Sequence, residues 1–197
     1  VDINRATFGL MKESLSRSIP VDSRLLVWCQ ENTITDADDL ERCLKYVSAY
    51  KLIRYLQEQS RDDCFSARAY YRSTPEMLTF GAYKDYIRFC EGLSYDLTDD
   101  FILYPRHLKE THDSASEMFS KHKAEIYNQK IAAEYAGLLR QYRMTRNGLT
   151  VVPPKSANEI VEEGHALHHC VGGYVSRVAN KECVILFLRK KEEPDKP

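Results

Sequence analysis

The spacing of apolar residues changes character at Asn147-Gly148 in this 197-residue chain. Before that point, apolar residues recur at steps of three and four, which is the spacing of one face of an α-helix. After it, the runs LTVV and CVILFLRK are rich in β-branched and aliphatic residues and are typical of buried strands. A helical segment lies between the two runs. We therefore expect an α+β protein, with a helical region over residues 1–147 and a small α/β unit over residues 148–197.

Three long helices are predicted in the first region. One is TDADDLERCLKYVSAYKLIRYLQEQ, whose apolar stripe continues from Leu40 to Ile53. A second begins with Thr74 as its cap and Pro75 as its first residue, and Gly92 stops it. The longest runs over about residues 114–142.

The helix of the C-terminal unit ends in the motif EEGHALHHCVGGY. Its start is predicted at Ser156, where Glu159 completes a capping box, and its stop at the Gly172-Gly173 pair. At about 100° per residue, the buried stripe consists of Ile160, Gly164, Leu167 and Val171. Gly164 would allow another stretch of backbone to approach this helix closely.

Glu162, His165 and His169 share the face opposite that stripe. Two histidines four residues apart, beside a carboxylate, have the donor types and the spacing that bind a divalent transition metal. Such a site would allow a metal-dependent hydrolase or nuclease. The alternative is that exposed histidines near a helix C-terminus interact with the helix dipole and need no ligand.

Cys170 offers a different chemistry. With His168 or His169 as its base, and with the amides of residues 171–173 as oxyanion donors, it would be the nucleophile of a hydrolase. Adjacent residues on a helix rarely face each other, so this arrangement requires the helix to end or tighten at Cys170. The alternative is a small cysteine that packs at a helix terminus.

The stretch from residue 121 to residue 146 is locally basic and contains three interleaved tyrosines. Its six basic residues, against two acidic ones, are Lys121, Lys123, Lys130, Arg140, Arg143 and Arg146. Because the whole chain has a formal net charge of -1, any attraction for DNA or RNA must be local. We predict nucleic-acid contacts at Lys123, Lys130, Arg140, Arg143 and Arg146, with a solvated helix face as the alternative.

The composition bears on location. The sequence has no run of about 18 apolar residues, which argues against a membrane span. Its six cysteines are scattered singly, which is typical of a reducing compartment, so we expect a cytoplasmic protein. A lone strand near Pro197 needs a partner, and we expect the natural protein to continue beyond it.

The segment over residues 151–197 resembles the signature region of the PcfJ-like family, bacterial proteins of conjugative plasmids, phages and related mobile elements. The resemblance rests on a His-Cys-Val-Gly-x-Tyr core and on an apolar strand that ends in arginine. These residues are His169, Cys170, Val171, Gly172, Tyr174 and Arg189. Upstream, YPRHLKETHD, with Pro105, His112 and Asp113, is also similar, so the likeness covers about residues 75–197.

The resemblance implies a mobile-element accessory protein that acts on or near nucleic acid, as a binding or adaptor module with other mobile-element proteins as partners. It implies no particular reaction. It does indicate a functional site at His169, Cys170, Tyr174 and Arg189, which would be the catalytic residues if the protein is an enzyme. The enzyme alternative is a metal-dependent hydrolase or nuclease, or a Cys-His hydrolase, centred on the same motif.

Overall fold

The computed structural model describes residues 3–66 and 73–192. Its helices are α1 Arg5–Ser16, α2 Ser23–Glu31, α3 Ala37–Leu44, α4 Ala49–Gln59, α5 Asp63–Ser66, α6 Pro75–Gly92, α7 Asp100–Leu103, α8 Leu108–Tyr142, α9 Ala157–Ala166 and α10 Val175–Ala179. Its strands are β1 Met144–Arg146, β2 Leu149–Val152 and β3 Phe187–Lys190, and a 3-10 helix, Cys170–Tyr174, joins α9 to α10. The predicted α+β class is confirmed. No helix in these two described ranges is long and apolar enough to cross a membrane.

The chain divides into two compact units, residues 1–119 and 120–197. The boundary falls inside α8, ahead of the change in sequence pattern at residue 147. Each unit has a hydrophobic cluster of its own. The first unit contains α1 to α7 and the start of α8, and the second contains the rest of α8 and the sheet.

The first unit is a helical core, but its predicted long helix is two helices. The stripe from Leu40 to Ile53 is divided between α3 and α4, and Ser48 caps α4 by accepting a hydrogen bond from the backbone N–H of Lys51. The turn between them changes the direction of the stripe. Tyr50, which the unbroken pattern would bury, is consequently 54% exposed.

Three buried tyrosines hold the segment that leads into α8. The hydroxyl groups of Tyr86, Tyr83 and Tyr55 donate to the carbonyl oxygens of Ile102, Leu103 and Pro105 at 2.7, 3.0 and 2.8 Å respectively. Burial raises the pKa of all three tyrosines, so their hydroxyl groups remain protonated donors. Each hydrogen bond gives a partner to a backbone carbonyl that is not paired within a regular helix or strand.

Gln59 ties down the first turn of α8. Its side-chain Nε2 donates to the carbonyl of Arg106 at 3.1 Å, and its Oε1 accepts from the backbone N–H of Leu108 at 3.0 Å. The first N–H groups of a helix have no partner within the helix. The side-chain amide of Gln59, which belongs to α4, provides an acceptor for one of them. The helix therefore begins at Leu108, earlier than the predicted residue 114.

Five helices end in the same kind of turn, with a residue other than glycine at a φ of 51° to 61°. These residues are Ser18, Thr33, Ser94, His168 and Lys181, which follow α1, α2, α6, α9 and α10. In each turn, the next residue donates its backbone N–H to the carbonyl five positions back, at 2.8 to 3.0 Å. This is the Schellman motif, which usually has glycine in the left-handed position.

The second unit contains a three-stranded antiparallel sheet in the order β1-β2-β3. Asn147 and Gly148 have φ values of 51° and 76°, so they form the two-residue turn that matches the twist of a hairpin. Because side chains alternate along a strand, the sheet has two distinct faces. Thr150, Phe187 and Arg189 are buried on the inner face, whereas Leu188 and Lys190 are exposed on the other.

We predict that Tyr83→Phe lowers the free energy of unfolding by about 1–2 kcal/mol, because the ring is kept but the buried carbonyl of Leu103 loses its donor. Urea unfolding followed by circular dichroism measures the change. Tyr50→Phe removes an exposed hydroxyl and is the matched control, with an expected effect below about 0.5 kcal/mol. Equal stability of the two variants would show that the buried bond contributes nothing.

Candidate functional site

The start of α9 is the capping arrangement that the sequence predicts. The hydroxyl oxygen of Ser156 accepts from the backbone N–H of Glu159 at 3.1 Å. The carboxylate of Glu159 reaches back to the N–H of Lys155 at 2.6 Å, one residue before the cap. Asn128 of α8 accepts from the N–H of Ala157 at 2.8 Å, which ties this end of α9 to α8.

The end of α9 differs from the prediction. The expected stop at Gly172-Gly173 is wrong, because α9 ends at Ala166 and His168 reverses the chain in a left-handed conformation. The N–H of His169 then bonds to the carbonyl of Gly164 at 3.0 Å. We call residues 167–174 the motif loop.

Gly164 allows the motif loop to fold back onto α9. A Cβ atom at this position would lie 3.0 Å from the backbone nitrogen of Gly172 and 3.0 Å from the backbone oxygen of His169. Those atoms are main-chain atoms and could not move aside cheaply. The predicted close approach at Gly164 is confirmed, and the approaching backbone is that of the motif loop itself.

The fold-back leaves most side chains of the motif exposed. His165, His168, His169, Cys170 and Tyr174 are all exposed. Leu167, which was predicted to be buried, is 51% exposed because the helix ends before it. The predicted burial is correct for Ile160 and Gly164.

The predicted metal ligands are Glu162, His165 and His169. The first two are exposed on α9, but His169 lies beyond the chain reversal, where its Nδ1 accepts the N–H of Val171 at 3.4 Å. Over residues 3–66 and 73–192, no three His, Cys, Asp or Glu side chains are grouped so that they could hold a metal ion. The three residues do not form a ready ligand set, and the metal site stays a prediction.

The predicted nucleophile, Cys170, is an exposed free thiol at the start of the 3-10 helix. No hydrogen bond joins it to a histidine within the described part of the chain. Tyr174 lies nearby in sequence, with the guanidinium of Arg177 at 5.5 Å from its ring centre. The described residues give Cys170 no base held in place, so its catalytic role also stays a prediction.

Arg189, the fourth residue of the predicted catalytic set, lies inside the second unit, and its side chain is only 1% exposed. Its guanidinium faces α9, where it forms an ion pair with the buried carboxylate of Glu163 and lies 3.7 Å from that of Glu159. Its Cζ is 4.4 Å from the ring centre of Phe187. The contact with Glu163 lacks hydrogen-bond geometry, and Nε of Arg189 has no acceptor among the described residues.

Sequence reasoning missed Glu163. It took the apolar stripe as the whole buried face of α9, although Glu163 lies next to Ile160 and Gly164 on the helix surface. The signal that could have identified it is Arg189 itself. An arginine that alternates inward with Phe187 must meet a carboxylate, since an unpaired buried charge is strongly unfavourable.

The predicted nucleic-acid-binding residues are exposed but lie at two places along α8. Lys123 and Lys130 share one side of the helix, where Lys123 lies 5.6 Å from the ring centre of Tyr127 and Lys130 donates to Asn180. Arg140 begins a second group at the end of the helix, about 15 Å further along. Arg143 and Arg146 follow it into β1.

The sheet adds two lysines to this second group. Arg146 is paired with Leu149, and Leu149 with Lys190, so the two charges flank one leucine in a row across three strands. The N–H of Lys191 donates to the carbonyl of Gly148 at the hairpin turn at 2.8 Å. We call this group the hairpin cluster: Arg140, Arg143, Arg146, Lys190 and Lys191. Within the described ranges, none of its members forms an ion pair with a carboxylate.

Comparison with known proteins identifies one family. The family described as PcfJ-like protein matches residues 82–197, which is more than half of the chain. An uncharacterized protein of Listeria innocua, Lin1253/Lin1744, is 28% identical over 119 residues, and these make up 59% of this chain and 26% of the relative. The chain therefore spans about a quarter of that relative's length. No solved structure matches the chain significantly.

We predict that Gly164→Ala lowers the free energy of unfolding by about 1–3 kcal/mol, because the added methyl group meets main-chain atoms of the motif loop. The loop should also open, and modification of Cys170 by a thiol reagent should become faster. Gly173→Ala is the control, since a Cβ there meets nothing within 4 Å. If both substitutions have the same effect, the close approach is not a constraint.

We predict that Arg189→Met lowers the free energy of unfolding by about 3–5 kcal/mol, because the carboxylate of Glu163 stays buried without its counter-charge. The double variant Arg189→Met, Glu163→Leu should recover more than half of that loss in the same urea titration. Arg177→Met breaks an exposed pair with Glu182 and should cost less than about 1 kcal/mol. A double variant no more stable than Arg189→Met would exclude the buried pair as the cause.

Proposed function

The chain belongs to the PcfJ-like protein family, and from this premise we propose that it is a nucleic-acid-associated binding module whose contact surface is the hairpin cluster. In this proposal it is a cytoplasmic accessory protein of a mobile element, and it brings DNA or RNA to other proteins of that element. The observation that carries the proposal is the pair of exposed basic side chains that flank Leu149 across the sheet, Arg146 on β1 and Lys190 on β3. Lys191 is bonded at the adjoining hairpin turn, and Arg140 and Arg143 precede β1 in the chain.

A stretch of sequence without carboxylates supports this role. Over residues 136–152 the chain has three arginines and no acidic residue, whereas Lys190 and Lys191 are followed in the sequence by Glu192, Glu193 and Asp195. Elsewhere in the second unit, some basic residues are paired with a carboxylate, as Lys181 is with Glu134 at 2.8 Å and Arg177 with Glu182 at 3.6 Å. Basic side chains without such partners are free to bind phosphates and to release the counterions of a nucleic acid.

The positions of the charges also favour a phosphate backbone. Neighbouring strands are about 4.8 Å apart, so Arg146 and Lys190 are held about 10 Å apart on the same face of the sheet. With a net charge of -1, the rest of the molecule contributes no general attraction for polyanions.

We predict that the double reversal Arg146→Glu, Lys190→Glu weakens nucleic-acid binding at least about tenfold and makes the salt dependence shallower by about two phosphate contacts. Fluorescence anisotropy with a labelled 20-nucleotide DNA strand and with its duplex, at about 50 and 200 mM salt, measures both quantities.

The matched control is Arg5→Glu, Lys12→Glu, which makes the same charge change on exposed positions of α1. It should leave the affinity and the salt slope unchanged. The proposal fails if the wild-type protein shows no salt-dependent binding to either form of DNA. It also fails if the reversals on α1 and on the sheet weaken binding equally.

A further inference from the structure

The face of the sheet that points away from α9 carries exposed apolar side chains. We call it the outer face, and its central row crosses the three strands as Met144, Val151 and Leu188. Met144 is 61% exposed and Leu188 is 64% exposed. Leu186, two residues before Leu188, is also exposed.

More than one residue contributes to the apolar surface of the outer face, and the sequence shows why. A half-buried strand usually alternates apolar and polar residues, but VILFLRK is aliphatic at nearly every position until Arg189. The inner positions face the core of the unit. The outer positions Met144 and Leu188 are exposed, and a contiguous exposed apolar surface marks an interaction site more often than a solvated one.

The basic row of the hairpin cluster borders the apolar row directly. Arg146, Leu149 and Lys190 lie two residues from Met144, Val151 and Leu188 on their strands, toward the hairpin turn, a distance of about 7 Å. The two rows lie on the same face, because positions two residues apart on a strand point the same way. A ligand on this face meets positive charge along one row and aliphatic side chains along the next.

We propose that the outer face binds single-stranded nucleic acid, with phosphates on Arg146 and Lys190 and with unpaired bases on Met144, Leu149 and Leu188. This inference rests on the proposed function and deepens it by naming the substrate class. A single strand carries the two required chemistries within one nucleotide, a charged phosphate and an apolar base face. Charge complementarity selects the phosphates, and the aliphatic row selects the bases.

A duplex fits the same face less well. Its base faces are covered by stacking, so it would present phosphates and hydrated grooves to Met144 and Leu188. Their apolar area would then be buried against charge, with no gain in free energy. Unpaired bases expose their faces and gain from contact with apolar surface, as they do on the stacking platforms of other single-strand binders.

The test compares two labelled probes of the same length, a 20-nucleotide dT strand and the dT·dA duplex, in anisotropy titrations of the whole chain at one salt concentration. The wild-type protein should bind the single strand about tenfold more tightly than the duplex. The double variant Met144→Ser, Leu188→Ser should lose most of this preference and keep its duplex affinity within about twofold. Phe101→Ser removes a still more exposed apolar side chain, 90% exposed on α7, and should change neither affinity.

The outcomes separate the two proposals. If the wild-type protein binds the two probes equally and the Met144→Ser, Leu188→Ser variant changes neither affinity, this inference is wrong. Phosphate binding by the hairpin cluster would remain possible in that case. Binding of neither probe overturns both. A third outcome is that the double variant binds both probes normally but loses binding to a labelled amphipathic Glu/Leu peptide, which would assign the outer face to a protein partner. Circular dichroism of the variants must match the wild type, as expected for exposed positions.

Discussion

The buried contact between Arg189 and Glu163 determines how the C-terminal sheet lies on α9. Each face of β3 carries one apolar side chain, Phe187 or Leu188, so burial of apolar area alone would allow either face to point inward. A shift of one residue would turn Leu188 and Lys190 toward the helix and remove the guanidinium of Arg189 from the buried carboxylate of Glu163. The ion pair therefore specifies the register, and with it the identity of every residue on the outer face.

This constraint divides the chemistry of the second unit between two surfaces. The motif loop is built on the end of α9, where the Gly164 backbone and the turn at His168 hold it. The outer face lies on the side of the sheet away from α9, and Arg146 and Lys190 of the hairpin cluster are strand residues on that face. The reactive residue types of the motif and the basic residues of the hairpin cluster are thus supported by different elements.

Local signals in the sequence predicted the class of fold, the start of α9 and the close approach at Gly164. They failed where the outcome depended on distant partners. The early start of α8 depends on Gln59, and the burial of Glu163 depends on an arginine on another element. The end of α9 was mispredicted because glycine was taken as the stop signal, whereas the chain reverses at a histidine. Lys190 and Lys191 joined the arginines of the hairpin only through strand pairing.

The five helix-ending turns lower the free energy of unfolding of this chain. A left-handed residue with a side chain costs roughly 1 kcal/mol relative to glycine, and here the cost recurs at Ser18, Thr33, Ser94, His168 and Lys181. The sum is of the order of the whole folding margin of a typical domain, about 5–15 kcal/mol. The molecule thus has a reserve of stability that glycine substitutions could recover. At four of these turns a glycine substitution should stabilise the protein without touching the motif loop. At His168 the same substitution would remove a residue of that loop.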